Sequence, residues 1–246
     1  MPELSVLQWT LAILASFFAG MSKAGFSGFG LPAVVLFASI FGARDSTGVV
    51  LPLFITADIG AVGIFKQHAR WDYIRRTLPP AIAGIGIATI IMRQLDNATF
   101  RPILGGIILS LALMQLVRMR WPNAYGQIPH SPMAALTLGF LIGFATMMAN
   151  VAGPLMAIYC IAVGLPKFEV VGTLAWFFFI ANLIKVPFSV SLGLIHGSSL
   201  MLNLLMVPAV LAGLLAGRWL IHRVSQRVFE GLVLAFASVA AIRLLV

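Results

Sequence analysis

Two lysines and one aspartate stand where an apolar chain has least use for charge. Lys23, Asp58 and Lys185 each fall in stretches built otherwise of Ala, Val, Leu, Ile, Gly and Phe. An ionisable group inside a membrane span is costly, and it marks substrate contacts, ion pairs or proton relays. Lys23 can meet an anion directly, neutralise Asp58, or snorkel to water. Asp58 is the only acid far from a span end. It serves charge coupling, with ion pairing to a buried lysine ranked ahead of carrying a proton. Lys185 follows Asn182 by three residues, so one helical face presents both. Its ammonium can give an oxyanion a charge-assisted hydrogen bond, or snorkel if the span ends nearby. Asn150 can cap a following helix or donate to a ligand.

These residues lie beside two glycine- and proline-rich breaks. The first runs Ala24-Gly25-Phe26-Ser27-Gly28-Phe29-Gly30-Leu31-Pro32, the second Asn150-Val151-Ala152-Gly153-Pro154. Glycine lets the backbone leave helical geometry. Proline in a first turn forfeits no hydrogen bond, because that N–H is unpaired anyway. The pattern predicts two helices that start inside the apolar layer with free N–H groups and the positive dipole end exposed. Such ends favour anions. Gly28 and Gly30 in the first half, and Gly153 and Pro154 in the second, are the expected backbone contributors. The plainer reading is that Gly and Pro serve packing and kinks in membrane helices.

The breaks belong to a repeat. Gly20, Gly30, Gly48 and Asp58 match Gly143, Gly153, Gly172 and Asn182 at offsets of 123 to 124. Pro79, Gly84 and Phe100 match Pro208, Gly213 and Phe229 at 129. Interrupted segments at corresponding positions of two halves point to a carrier's binding site. The expected units are residues 1–122 and 123–246, joined near Arg118 to Pro132 within one membrane domain.

Composition agrees. The chain is 61% hydrophobic and 9% charged, against about 25% charged in soluble domains. Its apolar runs are continuous rather than alternating, so helices rather than barrel strands are expected. Three spans follow each broken segment: near Thr47–Phe65, Thr77–Met92 and Pro102–Val117, then Val170–Leu192, Ser199–Ile221 and Val228–Leu245. If each broken segment crossed the membrane, the span-end Lys and Arg would divide seven against seven. If each turns back as two half-length helices, the division is ten against four. The positive-inside rule favours the second arrangement. It places both termini outside, and the loops at Lys66–Arg76 and Arg118–Pro132 in the cytoplasm. An odd number of crossings then inverts the second half. The expected fold is an all-α polytopic membrane protein of two inverted repeats, each a broken re-entrant hairpin plus three transmembrane helices. The expected location is the cell (inner or plasma) membrane.

Other chemistries find no support. The net charge of +9 sits at span ends and sets orientation, so nucleic acid is not an expected partner. The four histidines, His68, His130, His196 and His222, are scattered near span ends and form no ligand pair. Cys160 is the only cysteine and reads as packing. Gly28-Phe29-Gly30 follows no strand and precedes no P-loop lysine, so no nucleotide is expected. No cofactor or metal is implied, and a membrane-embedded enzyme is disfavoured for want of a clustered nucleophile and base. Trp176 to Phe179 reads as lipid-facing and packing bulk rather than a ligand cage.

Ser22-Lys23-Ala24-Gly25-Phe26, Leu51-Pro52-Leu53, Asn150-Val151-Ala152-Gly153-Pro154, Leu165-Pro166-Lys167, Trp176-Phe177-Phe178 and Asn182-Leu183-Ile184-Lys185-Val186-Pro187 together resemble the TauE/SafE sulfite exporter family over nearly the whole chain. The resemblance implies transport, mostly export, of small sulfur-containing anions such as sulfite and organosulfonates. Many relatives have three consecutive glycines at the first break, where this chain has Ser27-Gly28-Phe29-Gly30. Phe29 restricts backbone approach there. A passive anion channel, or an importer of another small anion, is the alternative. Substrate, direction, coupling ion and homo-oligomeric state are left open.

Overall fold

The computed structural model describes residues 4–121 and 132–220. The last expected span, Val228–Leu245, most of the joining segment, and His130, His222 and Phe229 lie outside the described residues. Within them the chain forms nine α-helices and no strand. These are α1 (Val6–Lys23), α2 (Gly30–Phe41), α3 (Asp45–Phe65), α4 (Trp71–Arg93) and α5 (Asn97–Arg120) in the first half. The second half supplies α6 (Pro132–Ala149), α7 (Gly153–Ala162), α8 (Lys167–Ser191) and α9 (Gly197–Leu220). Seven of them, all but α2 and α7, are long and apolar enough to cross a membrane. Ile59, Ile90, Leu204 and Leu215 are exposed on the outer faces, the reverse of a water-facing surface.

The spans start earlier than their apolar cores. Helix α4 begins at Trp71 rather than Thr77, and α5 at Asn97 rather than Pro102. Polar residues that read as loop are first turns. The Asp96 carboxylate accepts the Thr99 N–H at 2.8 Å and caps α5. The broken segments also differ from two equal half-helices. Ser5 and Gln8 form a capping box that starts α1 at once, so its first limb has 18 residues. The return limbs α2 and α7 have 12 and 10 residues. At 1.5 Å per residue these are about 18 and 15 Å, roughly half of a 30 Å hydrocarbon layer.

Matched glycines mark where the halves grip each other. A methyl group on Gly20 of α1 would sit 2.0 Å from the Val210 carbonyl oxygen of α9, and one on Gly213 of α9 would sit 2.0 Å from that of Phe17. A methyl group on Gly143 of α6, the counterpart of Gly20, would sit 1.9 Å from the Ala81 carbonyl oxygen of α4, and one on Gly84 of α4 would sit 2.2 Å from that of Phe140. Small residues permit such backbone contact, which supplies the packing that drives helix association in lipid. Gly48 near the start of α3 meets the Leu194 carbonyl just past α8, while Gly172 near the start of α8 meets that of Phe65 at the end of α3. Helices α3 and α8 therefore run antiparallel. Arg44 reaches the Leu192 carbonyl at one end. At the other, the Arg70 N–H donates to Thr173 and the Arg70 guanidinium pairs with Glu169 at 3.0 Å. The Gly20 and Gly213 contacts of α1 with α9 recur between α6 and α4 at Gly143 and Gly84.

Candidate functional site

The two breaks face each other between α3 and α8. Gly25 has φ 101°, a left-handed conformation open to glycine without strain, and it ends α1. A single 3-10 turn, Ser27–Phe29, then leads into α2. Asn150 takes φ 56° at the second break, and asparagine tolerates that conformation better than other side chains do. A side chain at Gly153 would meet Ser27 Cβ at 3.3 Å, and one at Gly30 would meet Val151 at 3.8 Å. The breaks are thus packed tip to tip.

A cavity opens at this junction, with Ser22, Lys23, Ser27, Gly30, Thr146, Asn150, Gly153 and Asn182 among its lining. Its apolar wall is Phe54, Val151, Val171, Leu174, Ala175 and Phe178. The space open to the centres of water-sized atoms is about 40 Å³. One water needs roughly 10–15 Å³ by that measure, so the cavity suits about three waters or one anion of a few heavy atoms.

Lys23 points into it. Its Nζ lies 2.9 Å from Asp58 Oδ1, and the rings of Phe54 and Phe178 flank it at 4.9 and 4.7 Å. Both rings stabilise the ammonium through their negative faces. Phe178 is therefore buried at the site, not turned to lipid, and the run Trp176 to Phe179 is split. Phe177 and Phe178 face inward, while Trp176 and Phe179 are partly exposed. Period 3.6 on α8 divides four consecutive aromatics between two faces.

Asp58 is fully buried and also accepts from Asn182 Nδ2 at 2.6 Å. Lys185 is equally buried but stands behind the cavity wall. Its Nζ donates to the Thr146 carbonyl at 2.7 Å, to Asn182 Oδ1 at 3.2 Å and, in a short contact, to Asn150 Oδ1; Thr146 Oγ1 is at 3.3 Å. Asn150 Nδ2 in turn donates to the Thr47 carbonyl at 2.8 Å. One polar network thus joins Lys23, Asp58, Asn182, Lys185, Asn150, Thr146 and Thr47 across α1, α3, α6 and α8.

Of the residues singled out in the sequence, Lys23, Gly30, Asn150, Gly153 and Asn182 line the cavity, with Asp58 and Lys185 one layer behind. Gly28 lies within the 3-10 turn and Pro154 in the first turn of α7, both off the lining. Ser27, Phe54, Thr146 and Phe178 were not picked out. The repeat could have found two of them: an offset of 123 pairs Ser27 with Asn150 and Thr146 with Lys23. Ser27 is 8% exposed, and its hydroxyl forms no hydrogen bond to any described residue. No group of His, Cys, Asp and Glu able to hold a metal occurs among the described residues, and Cys160 is buried and free.

The family model for the sulfite exporter TauE/SafE matches residues 11–244, both breaks and every helix around the cavity included. The chain belongs to the TauE/SafE family. No curated protein and no solved structure matches it. TauE/SafE proteins are membrane transporters, not enzymes, and this one is a multi-pass membrane protein whose helices enclose a small, lysine-bearing cavity.

Proposed function

We propose that the chain is a secondary transporter, working as an exporter, of a small anion such as sulfite or an organosulfonate. The observation that carries this reading is the Lys23 ammonium, facing a cavity where two helix breaks meet. Lys23 supplies the charge. Ser27 and the N–H groups at the starts of α2 and α7 supply further donors, as helix N-termini do for anions. Asn150, Gly30, Gly153 and Asn182 shape the wall. Gly28 and Pro154 set the course of the backbone behind it. Lys185 orients both asparagines, and Asp58 couples the two lysines through charge.

The halves, residues 1–122 and 123–246, act as inverted repeats in this reading. The exchanged glycine contacts and the antiparallel course of α3 and α8 support it. Inversion lets one half rock against the other and expose the site alternately. On α8 the cavity is lined from Val171 to Asn182, the half nearest Arg70 and Glu169. Beyond Asn182 the Lys185 network closes the way. The charge asymmetry puts the Arg70 end in the cytoplasm, so an exported anion enters there.

The test is flux from proteoliposomes of the purified chain, with Lys23→Ala as control. Sulfite efflux that accelerates when sulfite is also present on the opposite side supports a carrier. Flux without such acceleration supports a channel, and no flux of any small anion ends the proposal. Cysteine labelling of intact cells, in a chain freed of Cys160, tests orientation. Labelling at position 130 without labelling of the C-terminus overturns it.

A further inference from the structure

The described residues bury two charged side chains, Asp58 and Lys185, and Lys23 beside them is 13% exposed. Among the described residues Lys23 is the one charged side chain that lines the cavity, with Asp58 and Lys185 behind it. The protonation of Lys185 follows from its partners. The Thr146 carbonyl can only accept. Asn150 must present its oxygen, because its Nδ2 donates to Thr47. Asn182 must do the same, because its Nδ2 donates to the Asp58 carboxylate. Three obligate acceptors surround one nitrogen, an arrangement that an ammonium with three N–H groups satisfies and a neutral amine, with two and a lone pair, does not. Lys23 and Asp58 cancel. Lys185 has no carboxylate within hydrogen-bonding distance among the described residues, only neutral oxygens.

We infer that the cluster is built one positive charge in excess, so that its ligand supplies one net negative charge. Resting on the anion-transport reading above, this names the substrate class: a small monoanion. A dianion fits only when a proton accompanies it, and Asp58 is the acid placed to hold that proton. An uncompensated charge in a low-dielectric site is costly, and a single counter-charge removes the cost where a second one restores it. Lys185 thereby acts on the ligand without touching it, as a positioning and charge-setting residue.

Thermal stabilisation of the full chain in detergent tests this, at matched ionic strength, with perchlorate and sulfate. The two share a tetrahedral shape and differ by one charge. Methanesulfonate serves as a second monoanion. Relative to Lys23→Ala, which carries the general exclusion effect of each salt, wild-type protein should be stabilised by both monoanions and not by sulfate at neutral pH, with sulfate gaining as pH falls. Asp58→Asn, which raises the excess to two, should shift relative affinity toward sulfate by roughly ten- to a hundredfold, the range expected of one unit charge at short distance. Lys185→Gln should abolish monoanion stabilisation, and Lys185→Gln with Asp58→Asn should restore it. A wild type that prefers sulfate at neutral pH overturns the inference, and so does an anion preference unchanged in the folded variants. If the variants do not fold, the wild-type preference and its pH dependence decide alone. If no anion stabilises the wild type, the transport reading itself falls.

Discussion

The two halves present the same order of limb, break and return limb, and opposite chemistry. Each has a long limb, a break, a short return limb and a following helix that carries a buried polar residue midway. On this shared frame Lys23 matches Thr146, Ser27 matches Asn150, Asp58 matches Asn182, and Ala61 matches Lys185. None of these pairs is alike. The first half spends its lysine on the cavity, with only Asp58 and two aromatic faces against it. The second half surrounds its lysine with oxygens and turns the two asparagines so held toward the cavity. Glycine occupies the matched positions of both halves where backbone meets backbone. The polar positions differ between the halves, and each side contributes differently to the one cavity.

The comparison breaks most severely at the shared features. Gly20→Val and Gly143→Val both drive a side chain into backbone, at 2.0 and 1.9 Å in the present geometry. Overpacking costs about 1–3 kcal/mol where neighbours can yield, and here carbonyl groups cannot. Both variants should yield little folded protein, measured by monodispersity in detergent and by melting temperature. A well-folded variant in only one half would show that the two crossings are not equivalent.

A smaller effect separates the lysines. Asp58→Asn leaves Lys23 unpaired and Lys23→Ala leaves Asp58 buried without its counter-charge. Each should destabilise toward the low end of about 3–5 kcal/mol, since Lys23 keeps some access to the cavity. The double variant should recover most of the loss. Additive melting shifts would remove the pair as a unit. Ser27→Ala comes next. It deletes a hydroxyl with no partner among the described residues, so stability should hold while anion affinity falls by a factor of up to about ten, the worth of one neutral hydrogen bond. Anion titration by melting temperature separates the two readouts, and an unchanged affinity excludes Ser27 from the site. Gly63→Ala on α3 is the weakest case, because a methyl there meets nothing within 4 Å. It should leave anion binding alone and raise helix stability by less than about 1 kcal/mol.

Much of this was legible in the chain. The matched glycines were read as marks of a repeat; that they sit where helices cross in backbone contact is what the structure adds. Lys23, Asp58, Asn150, Asn182 and Lys185 announced themselves as polar groups in apolar runs, and they do share one network. Sequence spacing could not say which lysine faces the cavity. That depends on where α6 delivers the Thr146 carbonyl and Asn150, three-dimensional placements that no periodicity encodes. The inward turn of Phe178 was missed for a related reason: four adjacent aromatics look uniform until the helix assigns them to faces. Helix starts were misplaced because capping residues such as Asp96 look like loop.

Asp58 and Asn182 are repeat mates that bond to each other at 2.6 Å. In an assembly of two separate, identical half-length chains, the residue at that position would confront its own copy. Two asparagines there would leave Lys23 without a counter-charge, and two aspartates would set like charges face to face. An acid bonded to an amide at matched positions requires two distinguishable halves, and a single polypeptide with two unlike halves supplies them.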